Sequence, residues 1–141
     1  MEDKYYVTWD EYGKMTKCLG DIILGNKKKY ENVYGVPRGG APIAVALSHR
    51  LDIPYITNPN AIIDQTLIVD DIVDTGKELY KLINVYSIIN KNCDTCSLYK
   101  KPDPLVEPTY SVETTTKWIV FPYEQDCDTV SNVIYDKSKD K

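Results

Sequence analysis

Residues 66–69 read Thr-Leu-Ile-Val, apolar after the first position, and Asp70-Asp71 follow at once. A strand with no polar face has to be covered on both sides. That is the condition of a strand inside a parallel sheet, whereas antiparallel strands with one wet face alternate polar and apolar residues. In open sheets of this kind ligands bind beyond the carboxyl ends of the strands. The strand is therefore expected to deliver the two adjacent carboxylates to the edge where chemistry is done. Beyond them, Ile72-Val73-Asp74-Thr75-Gly76-Lys77 predicts a turn into a helix over residues 75–89, with Leu79, Leu82, Ile83 and Tyr86 as its buried stripe.

Other segments agree with alternating strands and helices. Thr8-Trp9-Asp10-Glu11 has capping-box form, a hydroxyl followed three positions later by a carboxylate, so a helix should start near Trp9. Its apolar stripe, Tyr12, Met15, Leu19, Ile22 and Ile23, runs to the stop at Gly25-Asn26. A strand is expected over 32–36, ahead of Pro37-Arg38-Gly39-Gly40, then a helix over 41–51 and a short strand over 53–57. After the turn residues Asn58-Pro59-Asn60 and the apolar strand come further strands at 95–99 and 110–112 and a last apolar segment at 117–121. This is an α/β pattern, a parallel sheet with helices on both faces.

Composition narrows the function. At 141 residues the chain has the length of about one domain. We take residues 1–130 as that domain and 131–141, polar and charged, as a fraying tail. A formal net charge of -4 argues against a general nucleic-acid binder, which draws its affinity from lysines and arginines on phosphates. No apolar run approaches the ~20 residues of a membrane span, and Met1-Glu2-Asp3-Lys4 is unlike a leader, so the expectation is a cytoplasmic, unprocessed protein with no membrane partner. Lys27-Lys28-Lys29 is read as a solvated loop. Cys93 and Cys96 have the spacing of a zinc or redox pair, but no second ligand pair accompanies them, so they are read as a loop cysteine followed by a strand cysteine.

Residues 70–77 combine two kinds of binding group. Paired carboxylates suit a cis-diol, a magnesium ion or both. The backbone N–H groups of a tight turn opening a helix form a cradle for phosphate. Any phosphorylated sugar would satisfy such a site.

The run Leu67-Ile68-Val69-Asp70-Asp71-Ile72-Val73-Asp74-Thr75-Gly76 resembles the phosphoribosyl pyrophosphate (PRPP) binding motif of type I phosphoribosyltransferases. The likeness extends over residues 4–124. Lys4-Tyr5-Tyr6-Val7-Thr8-Trp9-Asp10 is similar to the opening of the bacterial xanthine-guanine enzymes, and Val36-Pro37-Arg38-Gly39-Gly40 to their pyrophosphate loop. Lys101-Pro102 resembles their purine-contacting pair, and Trp118-Ile119-Val120-Phe121-Pro122-Tyr123-Glu124 their base-capping segment.

The resemblance implies the type I phosphoribosyltransferase fold with a small purine-binding C-terminal hood. It further implies transfer of 5-phosphoribosyl from PRPP to N9 of a 6-oxopurine, aided by Mg²⁺ (Mg2+), in a homo-oligomer, dimer or tetramer. Asp70 and Asp71 would hold the ribose hydroxyls directly or through the metal, with Asp71 as metal ligand. The amides from Asp74 through Thr75 and Gly76 to Lys77 would bind the 5′-phosphate, and Asp74 would take the proton lost near N7. Arg38, Gly39 and Gly40 would grip pyrophosphate, with the Pro37-Arg38 peptide cis. Lys101 would donate to the 6-oxo group, Trp118 would stack on the purine, the Ile119 backbone would meet the ring edge, and Glu124 would accept from an exocyclic amine.

Two places differ from the family pattern. Residues 58–66 join the second short strand to the motif strand, about nine residues where the family carries a long closing loop. Glu78 stands where the family has a phosphate-binding threonine; a carboxylate pointing into the cradle repels phosphate, whereas one turned to solvent does not. The rival reading is a non-catalytic module of the same fold that binds PRPP or a nucleotide.

Overall fold

Strand β4 (Thr66–Val73) lies at the centre of a five-stranded, fully parallel sheet. The computed structural model describes residues 3–85 and 92–125. Its neighbours are β2 (Asn32–Gly35) and β5 (Asp94–Lys100), with β3 (Tyr55–Ile56) outside β2 and β6 (Tyr110–Thr114) outside β5. Burial of Thr66, Leu67, Ile68 and Val69 accounts for the missing polar face.

One expectation needs correction. The strand does not end at the carboxylate pair; it continues to Val73, still paired with β5 at Ile72↔Tyr99 and Val73↔Lys100. What ends at Val69 is the pairing with β2, whose last register pair is Gly35↔Val69. Asp70 and Asp71 are thus the first residues of β4 to outrun β2.

Helix α1 (Trp9–Gly25) starts on its capping box: the Glu11 amide donates to Thr8 Oγ1 at 3.1 Å and the Thr8 amide to Glu11 Oε1 at 3.0 Å. Helix α2 (Gly40–Leu51) buries Ile43, Ala44 and Leu47 and packs against β2 and β4. Helix α3 (Lys77–Val85) begins two residues later than expected, because Thr75 and Gly76 still belong to the turn; residues 86–89 of the expected helix lie outside the described residues.

The strand order places the helices. Moving from β2 to β3 through α2 runs one way across the sheet, and from β4 to β5 through α3 the other way. Right-handed crossovers then put α2 and α3 on opposite faces. On one face Tyr34 and its register partner Ile68 pack with Leu79 of α3 and with Ile62 of the connector. The connector is a short turn, a 3-10 helix at Pro59–Ala61, stapled to the core by Ile62. It is shorter than a long lid folding over the sheet edge would need to be.

By its contacts the chain divides into two compact units, Gly13–Thr116 and Met1–Tyr12 with Lys117–Lys141. The second holds a small parallel sheet in which β1 (Lys4–Tyr6) pairs with β7 (Trp118–Val120), Tyr5 opposite Ile119. The Trp118 amide donates to the Asp3 carbonyl at 2.8 Å and Gln125 Nε2 to the Val7 carbonyl at 2.7 Å, while Phe121 and Tyr123 stack with ring centroids 5.6 Å apart. The apolar segment at 117–121 therefore belongs to this sheet and not to the larger one. The tail at 131–141 lies outside the described residues.

Candidate active site

The crossover direction reverses between β2 and β4, and the crevice at such a switch point is where an open α/β sheet binds its ligand. The residues at the two strand ends there are Pro37-Arg38-Gly39-Gly40 and Asp70-Asp71. They approach closely: a Cβ at Gly39 would lie 2.0 Å from Asp71 Oδ2, and one at Gly40 would lie 2.1 Å from the Val69 carbonyl oxygen. At Gly40 the neighbour is backbone, so only glycine lets the loop lie this close to β4 there. The Pro37-Arg38 peptide is cis, as the resemblance implies.

Asp70 is 7% exposed and accepts from the Asp71 amide at 2.8 Å. Burial, then the neighbouring Asp71 charge, pushes its carboxyl up to about 9. Asp71 is less buried and accepts from the Ile72 amide at 2.8 Å. Burial beside a second carboxyl thus favours the neutral form of Asp70 at the crevice. Hard oxygen donors of this kind fit magnesium, which is bound through one or two carboxylates with substrate oxygens completing its shell. Among the described residues no three His, Cys, Asp or Glu side chains converge on a point, so they form no closed metal cage.

The turn after β4 is held from the side. The Leu105 amide donates to the Thr75 carbonyl at 2.7 Å, and the Lys77 amide donates to Thr75 Oγ1 at 3.2 Å. Gly76 has φ +82, and a Cβ there would sit 2.6 Å from the Val106 nitrogen, so both its conformation and its neighbour require glycine. Asp70, Asp71, Asp74, Thr75, Gly76 and Glu78 line a cleft of about 310 Å³. Glu78 faces this cleft from the first turn of α3, and its charge is felt at Asp70.

Lys101 comes to the same place from β5. Its amide donates to the Val73 carbonyl at 2.8 Å, and its ammonium lies 3.8 Å from Asp74 Oδ1. Residues 27 positions apart in sequence thus put a cation and a carboxylate side by side at the mouth of the cleft. The backbone of Leu105 and Val106, which fixes the turn, carried no sequence signal; its contribution is position alone.

Three expected base-contacting residues belong to the other unit. Trp118 is 50% exposed on β7, Ile119 is buried, and Glu124 Oε1 accepts from the Phe121 amide at 2.9 Å, closing its own turn. Cys93 precedes β5 and donates to the Ile63 carbonyl at 3.0 Å, while Cys96 is wholly buried within β5, where burial raises its thiol. The loop-then-strand reading of the two cysteines holds.

No family model matches the chain. It is similar in sequence to the xanthine-guanine phosphoribosyltransferase of Cereibacter sphaeroides, 25% identical over 151 aligned positions that cover 87% of this chain and 88% of that one. Among solved structures, the purine phosphoribosyltransferase of Pyrococcus horikoshii superposes with a TM-score of 0.76 at 35% identity, covering 88% of this chain and 95% of that one. The chain belongs to the type I phosphoribosyltransferases.

The xanthine-guanine-hypoxanthine phosphoribosyltransferase of Helicobacter pylori, 20% identical with a TM-score of 0.76 over 92% of this chain and 99% of that one, shares the fold. As a phosphoribosyltransferase of the purine group the chain is a glycosyltransferase of purine salvage. Glu78 lines its cleft from the first turn of α3, and a short connector joins β3 to β4.

Proposed function

We propose that the chain transfers the 5-phosphoribosyl group of PRPP to N9 of a 6-oxopurine, guanine, xanthine or hypoxanthine, giving the nucleoside monophosphate and pyrophosphate. The observation that supports this most is Lys101 beside Asp74, 3.8 Å apart at the cleft. An oxopurine presents O6 and N7 as neighbours on one edge. The ammonium donates to O6, which adenine lacks, and the carboxylate beside it takes the proton that the base gives up as N9 bonds to C1′ and the bond from C1′ to pyrophosphate breaks.

Asp70 and Asp71 hold the ribose hydroxyls, and the Thr75, Gly76 and Lys77 amides hold the 5′-phosphate. Arg38 with the Gly39 and Gly40 amides holds pyrophosphate, for which a fixed guanidinium fork is well shaped. The residues fit magnesium, held through Asp71; when bound it neutralises charge on the leaving pyrophosphate. Trp118, Ile119 and Glu124 remain assigned to the base on the resemblance. Residues 1–130 are proposed to work as one domain of a cytoplasmic homo-oligomer. Among the described residues no helix is long and apolar enough to cross a membrane.

The test is a panel of radiolabelled guanine, xanthine, hypoxanthine and adenine with PRPP and magnesium. Labelled nucleotide is expected from at least one oxopurine and none from adenine. Tight nucleotide binding by folded protein with no product from any base would overturn the reading in favour of a binding module.

A further inference from the structure

The phosphate cradle of this chain carries a charge of the wrong sign. A turn whose amides open a helix binds anions because the unpaired N–H groups and the helix dipole are positive there. Here the second residue of α3 is Glu78, which lines the same cleft as Thr75 and Gly76. Its effect on the helix is favourable, since an acid in the first turn offsets the dipole. Its effect on a bound phosphate is the reverse.

Asp70, Asp71 and Asp74 line the same cleft, and the Lys101 ammonium lies 3.8 Å from Asp74 Oδ1. The Lys77 amide is already engaged by the Thr75 hydroxyl. A 5′-phosphate dianion thus meets a cradle in which one donor is shared and a carboxylate stands at the rim.

Resting on the phosphoribosyl-transfer reading, we propose that Glu78 is a specificity-determining residue that weakens this site's hold on the 5′-phosphate, so that affinity comes from the ribose and base contacts to a greater extent than the phosphate cradle would otherwise allow. Two charges on the phosphate facing one carboxylate at the solvent-exposed rim correspond to about tenfold in affinity. The penalty is electrostatic, so it is screened by salt.

The experiment is calorimetry of wild type, Glu78→Gln and Glu78→Thr with a purine nucleoside 5′-monophosphate and with the matching nucleoside, at low and at high ionic strength. Binding needs no turnover, so slow catalysis does not obscure the result. Both variants are expected to tighten the monophosphate about tenfold at low salt, to lose most of that gain at high salt, and to leave the nucleoside unchanged. A substitution that acted only through helix stability would move both ligands together and show no such salt dependence; that outcome, or unchanged monophosphate binding in both variants, overturns the proposal and leaves the functional reading intact. If none of the three proteins binds the monophosphate while all remain folded, the functional reading falls with it.

Discussion

Two aspartates on neighbouring strands have opposite electrostatic fates. Asp70, in the second half of β4, is buried beside Asp71 and its carboxyl is pushed up to about 9. Asp94 opens β5 at the other end of the sheet, opposite Leu67. Burial alone would raise Asp94 too, but Lys28 Nζ at 2.8 Å and the Tyr30 hydroxyl both donate to it, and together they hold it below the usual carboxylate range. Tyr30 is in turn 2.7 Å from the Tyr110 hydroxyl, which accepts from Asn26 Nδ2 at 2.7 Å. The fold surrounds Asp94 with protein donors, whereas it sets Asp70 and Asp71 against each other. We read the first arrangement as serving the fold and propose that the second serves a ligand.

If that contrast is right, substitutions at the two ends should fail in different assays. The largest effect is expected from Asp74→Asn, which removes the proposed proton acceptor from an exposed position: kcat should fall by about 10²–10⁴-fold with the thermal midpoint unchanged. Lys101→Met should come next, raising KM for the oxopurine by about tenfold or more, because the 6-oxo group loses its charged donor. A Lys101→Met protein that discriminated oxopurines from adenine as well as wild type would break the pairing of Lys101 with Asp74.

Asp94→Asn should do the opposite, leaving kcat and KM alone and costing roughly 1 kcal/mol of stability, read by chemical denaturation. The sign of its pH dependence follows from the lowered carboxyl. The stabilisation is full above the unfolded carboxylate pKa of about 3.9 and is lost as pH falls through the lower folded value. The gap between wild type and Asp94→Asn should therefore close on acidification below about pH 4, and a gap that stayed constant would show that the carboxylate charge is irrelevant there.

What could be read from the sequence was whatever is local. The apolar run before Asp70, the turn at Asp74-Thr75-Gly76, the Thr8 and Glu11 cap and the glycines after Arg38 each impose their geometry within a few residues, and the structure has them where expected. What stayed hidden depends on pairing across the chain. The end of β4 could not be placed because an Asp pair reads as a strand end, and only the continued register with Tyr99 and Lys100 shows that the strand runs on. The pairing of Tyr5 with Ile119 and the hydrogen-bonded set of Tyr30, Asp94 and Tyr110 join residues too distant for any periodicity to reveal. The orientation of Glu78 was open for the same reason, since a first-turn residue can face either solvent or cleft until the rest of the wall is known.

The central claim is that the carboxylates at the carboxyl end of β4 belong to the ligand and not to the fold. The measurement that meets it most directly is the thermal stabilisation of wild type, Asp71→Asn and Asp94→Asn by PRPP with magnesium. At about 100 times the dissociation constant a ligand stabilises its protein by about 2.7 kcal/mol. The account predicts that stabilisation for wild type and for Asp94→Asn and its loss for Asp71→Asn; equal stabilisation of Asp71→Asn and wild type would contradict it.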